Sequence, residues 1–177
     1  TKALYGAPLR DPVQVQPLLA EPGKHWKRGR SAFETATSWL RSESFPPAVS
    51  AVLSSAPEWN GAEVLAGFFE HQTFLDSRKG PTNTDLLALC GLATGLGVAA
   101  IEGKAGEPFG DVISVWMNSE TREARFGWAC AKLGVEAAQC VSLRWQLFHR
   151  TLAAVLEAQR FRARHAVMLV DQHRAGQ

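Results

Sequence analysis

The pattern of apolar and polar positions predicts helices at the start of the chain, strands in its middle, and helices followed by one strand at its end. From Ser31 to about Arg41 the apolar side chains recur three and four positions apart, which predicts a helix. Ser31 is its expected N-cap, with Glu34 as the capping-box partner. A second short helix is expected after Pro46-Pro47. Residues 1–30 carry four prolines and no steady period, so an irregular arm is predicted there.

The middle of the chain predicts three strands. A strand-like run covers 62–75, and two further apolar runs cover 85–89 and 97–105. The polar stretch 76–84 contains Gly80-Pro81 and predicts a turn. The second and third runs are joined by a glycine-containing turn, which is typical of a β-hairpin.

Helical signals return after the hairpin. A short helix capped by Asp111 and a second one capped by Ser119, ending before Gly134, are expected. A long helix over 143–161 and a last strand over 165–170 follow. The order predicts one mixed α/β domain over 1–177, with its core at 31–170.

Composition narrows the class of protein. The chain of 177 residues is 46% hydrophobic and 20% charged, which excludes a disordered chain. A net charge of +2 is too small for a global attraction to nucleic acid, so any such binding needs a local basic patch.

Cysteine spacing and hydropathy give the expected compartment. Cys90, Cys130 and Cys140 include no C-x-x-C pair, so no zinc knuckle is expected and all three are predicted to be buried. The longest uncharged run, 86–101, is broken by glycines and favours a hairpin over a membrane span. Without a signal-peptide pattern at its start, the chain is expected to be a soluble cytoplasmic protein.

Three ionisable residues of the predicted hairpin can converge. Glu102 and Lys104 are two positions apart on a strand, so both side chains lie on one face. A turn centred between Ala93 and Thr94 places Asp85 opposite Glu102, and one centred between Thr94 and Gly95 places it opposite Lys104. An odd-membered turn or a bulge would separate Asp85 from the other two.

Burying such a cluster costs free energy unless its charges are paired or coordinate a metal. Two carboxylates suit a hard cation such as Mg²⁺ or Mn²⁺, and Lys104 beside it can activate water or stabilise phosphate charge. The alternative is that Asp85 is a turn residue, and that Glu102 and Lys104 form an exposed ion pair of little consequence.

The sequence Asp85, hairpin, Glu102-Gly103-Lys104 resembles the Asp…Glu-x-Lys signature of the PD-(D/E)xK phosphodiesterase superfamily. The resemblance implies a restriction-endonuclease-like fold, a mixed β-sheet with an αβββαβ core flanked by helices. It also implies that Asp85 and Glu102 are metal ligands and that Lys104 acts as the base. The family usually has Pro before the Asp, whereas this chain has Thr84 there.

Further site residues follow from the same resemblance. Many members add an acid from a preceding element, for which Glu34, Glu63 and Glu70 are candidates, and Glu70 is the expected third ligand. Gln146 matches the Gln that the RecB-like branch carries on the following helix, without that branch's Tyr. Arg150 shares its helical face and can hold a phosphate.

One basic segment suits a nucleic-acid backbone. Four cations surround one aromatic residue in the run Lys24, Trp26, Lys27, Arg28 and Arg30. The alternative is a solvated loop whose Trp packs on the core.

The sequence therefore predicts a nuclease dependent on Mg²⁺ or Mn²⁺ that hydrolyses phosphodiester bonds in DNA. The alternative function is a catalytically inactive nuclease-like module that binds nucleic acid or a protein. A third is an enzyme acting on a small phosphorylated molecule. One domain leaves little room for separate specificity elements, so a homodimer or a larger assembly is expected.

Overall fold

A single four-stranded mixed sheet organises the protein. The structure, a computed structural model, describes residues 8–76 and 80–173. The strands lie in the order β1-β2-β3-β4. They are β1 (Glu63–Thr73), β2 (Thr82–Leu92), β3 (Gly95–Lys104) and β4 (His165–Gln172). β1, β2 and β3 are antiparallel neighbours, and β4 runs parallel to β3. The predicted mixed α/β class is confirmed.

Helices lie before and after the three-stranded meander. They are α1 (Pro22–His25), α2 (Ser31–Arg41), α3 (Pro47–Leu53), α4 (Ile113–Trp116), α5 (Glu120–Leu133), α6 (Ala137–Cys140) and α7 (Trp145–Phe161). Two 3₁₀ segments, Pro12–Leu18 and Pro57–Trp59, complete the described elements. The predictions of α2, α3, α5, α7 and β4 are confirmed, with α7 beginning two residues later than expected.

Two predicted helix caps are wrong. Ser31 is the first residue of α2 rather than its N-cap, because the chain turns into the helix one residue earlier. The Glu34 carboxylate accepts a hydrogen bond from the Gly29 N–H at 2.7 Å instead. Asp111 does not cap α4, since Val112 occupies that position and the Asp111 carbonyl accepts from the Trp145 N–H. Sequence spacing could not place these caps to the residue.

The hairpin has the first of the two predicted registers. Leu92 pairs with Gly95, so Ala93 and Thr94 form a two-residue turn. Both strands are longer than predicted, and the expected turn over 76–84 is shorter because β2 begins at Thr82. Residues 77–79 of that predicted turn lie outside the described residues. β2 extends this far because Thr82 and Thr84, which favour strands, pair with β1.

Both faces of the sheet are covered. On one face, Trp39 of α2 packs in a buried cluster with Leu86 and Ile101. On the other, Ala154 of α7 packs against Ala100. A sheet buried on both sides needs nearly continuous apolar strands, which explains the uncharged middle of the chain.

The predicted irregular arm is partly ordered. Its 3₁₀ segment, Pro12–Leu18, buries Val15, and Leu19 directly after it is also buried. Residues 1–7 lie outside the described residues. The three cysteines are buried, as predicted. Among the described helices, none has the length and apolar character required to cross a bilayer.

Candidate active site at the end of the central strands

The two central strands bring Asp85, Glu102 and Lys104 together. The last pair of the β2–β3 ladder at this end is Leu86 with Ile101, and the next position outward places Asp85 across from Glu102. The Asp85 Oδ2 accepts the Gly103 N–H at 2.8 Å, and the Lys104 Nζ lies 3.1 Å from the Glu102 Oε1. Glu102 is 3% exposed and Lys104 8%, so they are not an exposed ion pair.

Helix α7 adds two side chains to this cluster. The Gln146 Nε2 donates to the Glu102 Oε1 at 2.5 Å, and the Gln146 Oε1 accepts from the Lys104 Nζ at 3.2 Å. One helical turn later, the Arg150 Nε donates to the Glu102 Oε2 at 2.6 Å. Residues four apart share one helix face, so α7 engages both oxygens of Glu102.

Glu70 joins the cluster from the edge strand β1. The pairs Phe69 with Leu86 and His71 with Thr84 flank it, which places Glu70 across from Asp85. Its φ of 51° is left-handed, a conformation that is uncommon for a residue other than glycine. Such strain is often kept at functional positions.

The electrostatics of the site leave its carboxyls short of positive charge. Burial and the negative charge of Glu102 raise the pKa of Asp85 to about 7, against the opposing effects of Arg150 and the Gly103 N–H. Burial also raises the pKa of Glu70, although Asn83 and Arg150 counteract this. Two carboxyls therefore favour the protonated form more than usual, which is expected where like charges converge.

The structure distinguishes the three candidate acids. The Glu34 carboxylate accepts a hydrogen bond from the Gly29 N–H at the start of α2. Glu63 is exposed and pairs with Gly91 near the opposite end of the sheet. Glu70 is the one that lies beside the site.

The donor set suits a hard divalent cation in its chemistry, but Glu102 is already engaged. Carboxylate oxygens are the ligands Mg²⁺ and Mn²⁺ prefer, and burial raises the pKa of two of the carboxyls here, Asp85 and Glu70. Within the described residues, no three His, Cys, Asp or Glu side chains are grouped as a metal site. Binding by Asp85, Glu102 and Glu70 would therefore require Arg150 to release Glu102.

The predicted basic segment ends beside this end of the sheet. The Glu107 carboxylate accepts from the Ser31 N–H at 3.4 Å and from the Ala105 N–H at 2.6 Å, which ties the start of α2 to the end of β3. The cations Lys27, Arg28 and Arg30 are exposed.

Two members of the basic segment have partners within the chain. Lys24 forms an exposed ion pair with Glu21 at 3.2 Å. The partly buried Trp26 ring packs edge-on against Phe33, with 5.2 Å between ring centroids. This packing agrees with the loop alternative for Trp26, so the exposed cations are the better candidates for phosphate contacts.

Two contributors to the site, Thr82 and Thr35, were not predicted. Thr82 accepts a hydrogen bond from Arg150 and lies 3.2 Å from the His149 Nδ1. Thr35 of α2 packs so closely on Gly103 that a Cβ at position 103 would collide with the Thr35 hydroxyl. The glycine between Glu102 and Lys104 was a usable signal, because glycine within a strand often marks close approach of another element.

A family model described as a domain of unknown function, DUF6946, matches residues 8–176. No curated protein and no solved structure matches the chain.

Proposed function

Since the chain belongs to the DUF6946 family, whose description names no activity, we propose from the site that it is a metal-dependent nuclease. It would hydrolyse phosphodiester bonds in DNA with Mg²⁺ or Mn²⁺, in a restriction-endonuclease-like fold. The observation that supports this most is the meeting of Asp85, Glu102, Lys104 and Gln146 at one end of the central hairpin. The Asp…Glu-x-Lys resemblance selects the first three of these positions, and the match to the RecB-like branch selects Gln146.

Asp85 and Glu102, with Glu70, are the residues that would hold the cation. When bound there, the cation would supply Lewis-acid stabilisation of phosphate charge and favour ionisation of a water. Burial raises the pKa of both Asp85 and Glu70, and a cation bound beside them would favour their ionised forms.

In this proposal Lys104 is fixed in position by two neighbours and acts at the reacting phosphate. Its ammonium contacts Glu102 and Gln146, which use two of its three N–H donors and restrict its position. The remaining donor is available to orient a water or to stabilise developing charge on a phosphate oxygen. Gln146 acts by positioning both Lys104 and Glu102.

Arg150 has a different role in this proposal. Its guanidinium is a planar fork suited to phosphate, and in the described arrangement it binds Glu102 and Thr82 instead. Substrate phosphate would compete for the same donors. Transfer of Arg150 from Glu102 to phosphate would free a Glu102 oxygen for the cation.

The proposal is tested by nuclease assays on supercoiled plasmid, linear duplex, single-stranded DNA and RNA with Mg²⁺ or Mn²⁺. Asp85→Ala and Lys104→Ala are each expected to lower the rate at least about 100-fold. Glu63→Ala, at the far end of the same sheet, is the matched control and should cleave normally. Cleavage that is indifferent to Asp85→Ala would refute the assignment.

Calorimetric titration separates metal binding from catalysis. Mg²⁺ or Mn²⁺ is expected to bind the wild type, and Asp85→Ala should weaken that binding strongly. Metal binding unchanged by Asp85→Ala would place the cation elsewhere and contradict the proposed ligand set.

One observation favours a second candidate, a catalytically inactive module that binds nucleic acid. Both Glu102 oxygens already accept from groups of the chain itself, Gln146, Lys104 and Arg150, so this carboxylate has partners without a metal. This candidate gains if every substrate survives at high protein concentration while DNA is still bound.

A further inference from the structure

A cavity of about 300 Å³ lies beside the candidate active site. Its walls include Pro81, Thr82, Arg125, Trp145 and His149, and we call it the Trp145 cavity. Its volume falls at the lower end of the range for sites that hold small organic groups, about 300–1,000 Å³. Its lining combines aromatic rings with a cation.

One arginine connects the Trp145 cavity to the active site. Thr82, in the cavity wall, accepts a hydrogen bond from the guanidinium of Arg150. The Nε of the same guanidinium donates to Glu102 at 2.6 Å. A group in the cavity and a phosphate at the active site would therefore lie on either side of Arg150.

The aromatic wall is held rigidly. The Trp145 ring stacks on Trp116 with 3.7 Å between centroids and 12° between planes. The Arg122 guanidinium lies 5.4 Å from the Trp116 ring, and the His149 ring centroid is 5.5 Å from that of Trp145. Phe148 also lies against the Trp145 ring, with 6.1 Å between centroids and 27° between planes. A further planar group would therefore pack on the part of this fixed ring that lines the cavity, with little loss of side-chain conformational entropy.

The polar groups of the wall suit a neutral heterocycle. Burial, together with the charges of Arg150 and Arg125, lowers the pKa of His149 to about 3, so its ring is neutral at pH 7. Because Arg150 donates to Thr82, the Thr82 hydroxyl hydrogen is available to the His149 Nδ1. Arg125, which also pairs with Asp76 at 3.4 Å, supplies N–H donors for carbonyl or ring-nitrogen acceptors.

We propose that the Trp145 cavity binds the nucleobase adjacent to the phosphodiester bond that the site hydrolyses. Stacking on Trp145 and hydrogen bonds from Arg125 and His149 would hold the base outside its helical stack, next to Arg150. The inference rests on the proposed function, since it takes the phosphate to lie at Asp85, Glu102 and Lys104. It predicts that the protein distinguishes a nucleotide with a base from one without.

The test is binding of short single-stranded DNA without divalent metal, so that no cleavage intervenes. One oligonucleotide carries all its bases, and a second carries one abasic position in the middle. Wild type should bind the complete strand about 10-fold more tightly, since one base–aromatic stack contributes about 1–3 kcal/mol. Trp145→Leu should remove that difference and leave affinity for the abasic strand unchanged.

Two further variants control for folding and chemistry. Trp145→Phe keeps an aromatic ring and should retain most of the preference, while Trp128→Leu on α5, also partly buried, should retain all of it. Thermal melting by circular dichroism checks that each variant is folded. Equal discrimination by wild type and by folded Trp145→Leu would overturn the proposal.

The same experiment also tests whether the base belongs to a nucleic-acid strand or to a free nucleotide. A mononucleotide that binds as tightly as the oligonucleotide, with the same Trp145 dependence, indicates a small nucleotide ligand in the cavity. Base-dependent binding without any metal-dependent cleavage would contradict the nuclease while supporting the cavity. Metal-dependent cleavage by a protein that binds the complete and the abasic strand equally well would support the nuclease and contradict the role of the cavity.

Discussion

Replacing Asp85 with Asn should stabilise the metal-free protein above neutral pH. The carboxyl is destabilised as an anion because it has lost hydration and lies beside Glu102, which raises its pKa from 3.8 to about 7. Asparagine retains an oxygen that can accept from the Gly103 N–H but carries no charge. The substitution therefore removes the electrostatic penalty and keeps the hydrogen bond at 2.8 Å.

The sign and size of the effect follow from linkage. A carboxyl with a raised folded-state pKa contributes most at low pH, and that contribution is lost as the pH rises through about 7. The interval between 3.8 and about 7 corresponds to about 4 kcal/mol. That interval already includes the attraction to Arg150. Screening and local relaxation around the charge reduce the effective penalty, so we expect Asp85→Asn to be more stable by about 1–3 kcal/mol at pH 8. The difference should vanish near pH 4.

Urea unfolding in EDTA, followed by tryptophan fluorescence at several pH values, measures this difference. Glu63→Gln replaces an exposed carboxylate of the same sheet and should show no comparable pH dependence. Added Mg²⁺ should stabilise the wild type and not Asp85→Asn, because a ligand of the folded state raises its stability by mass action. A wild type more stable than Asp85→Asn by a constant amount at every pH would refute the reasoning.

Three other predictions concern packing and titration. Gly103→Ala should lower the free energy of unfolding by about 1–3 kcal/mol because the new Cβ meets the Thr35 hydroxyl. Urea titration should show a smaller loss in a Thr35→Ala background, and an equal loss there would contradict the clash. Burial raises the pKa of the Cys90 thiol to about 12, so Ellman's reagent should react with it only as fast as the protein unfolds, and rapid labelling of the native state would argue against this. Burial of Glu157 favours its protonated form, but hydrogen bonding and charge from His71 lower the pKa of this carboxyl. Glu157→Gln should therefore lower the free energy of unfolding at pH 7, and by progressively less as the pH falls below 4. A loss that is the same at every pH would exclude this pairing.

The sequence was sufficient for the part of the site that depends on strand periodicity. An even-membered turn places Asp85 on the same face as Glu102 and Lys104, and the structure selects the register in which Asp85 lies across from Glu102. Gln146 was identified from the resemblance to the RecB-like branch, on a helix that the apolar spacing predicts over 143–161. These features depend on local spacing, which the sequence contains directly.

The rest depends on contacts between residues far apart in sequence. That Arg150 would bind Glu102 and Thr82 requires the position of α7 over the sheet, which helical periodicity does not contain. The choice of Glu70 over Glu63 depends on which end of β1 lies beside Asp85, and the left-handed φ at Glu70 has no local sequence signal. The Trp145 cavity likewise arises where α7 meets the segment that begins β2.

The proposed metal site is argued from an imbalance between the carboxylates and the cations that meet at the end of the central strands. Glu70, Asp85 and Glu102 share the site with two cations, Lys104 and Arg150, so full ionisation would leave a negative charge in a poorly hydrated place. The apo protein can resolve this by protonating a carboxyl, whereas a divalent cation would resolve it by coordination. A structural ion network selected for stability alone would not need a third carboxyl at a strained backbone position. The excess acid is the feature from which we propose that a divalent cation joins the site in function.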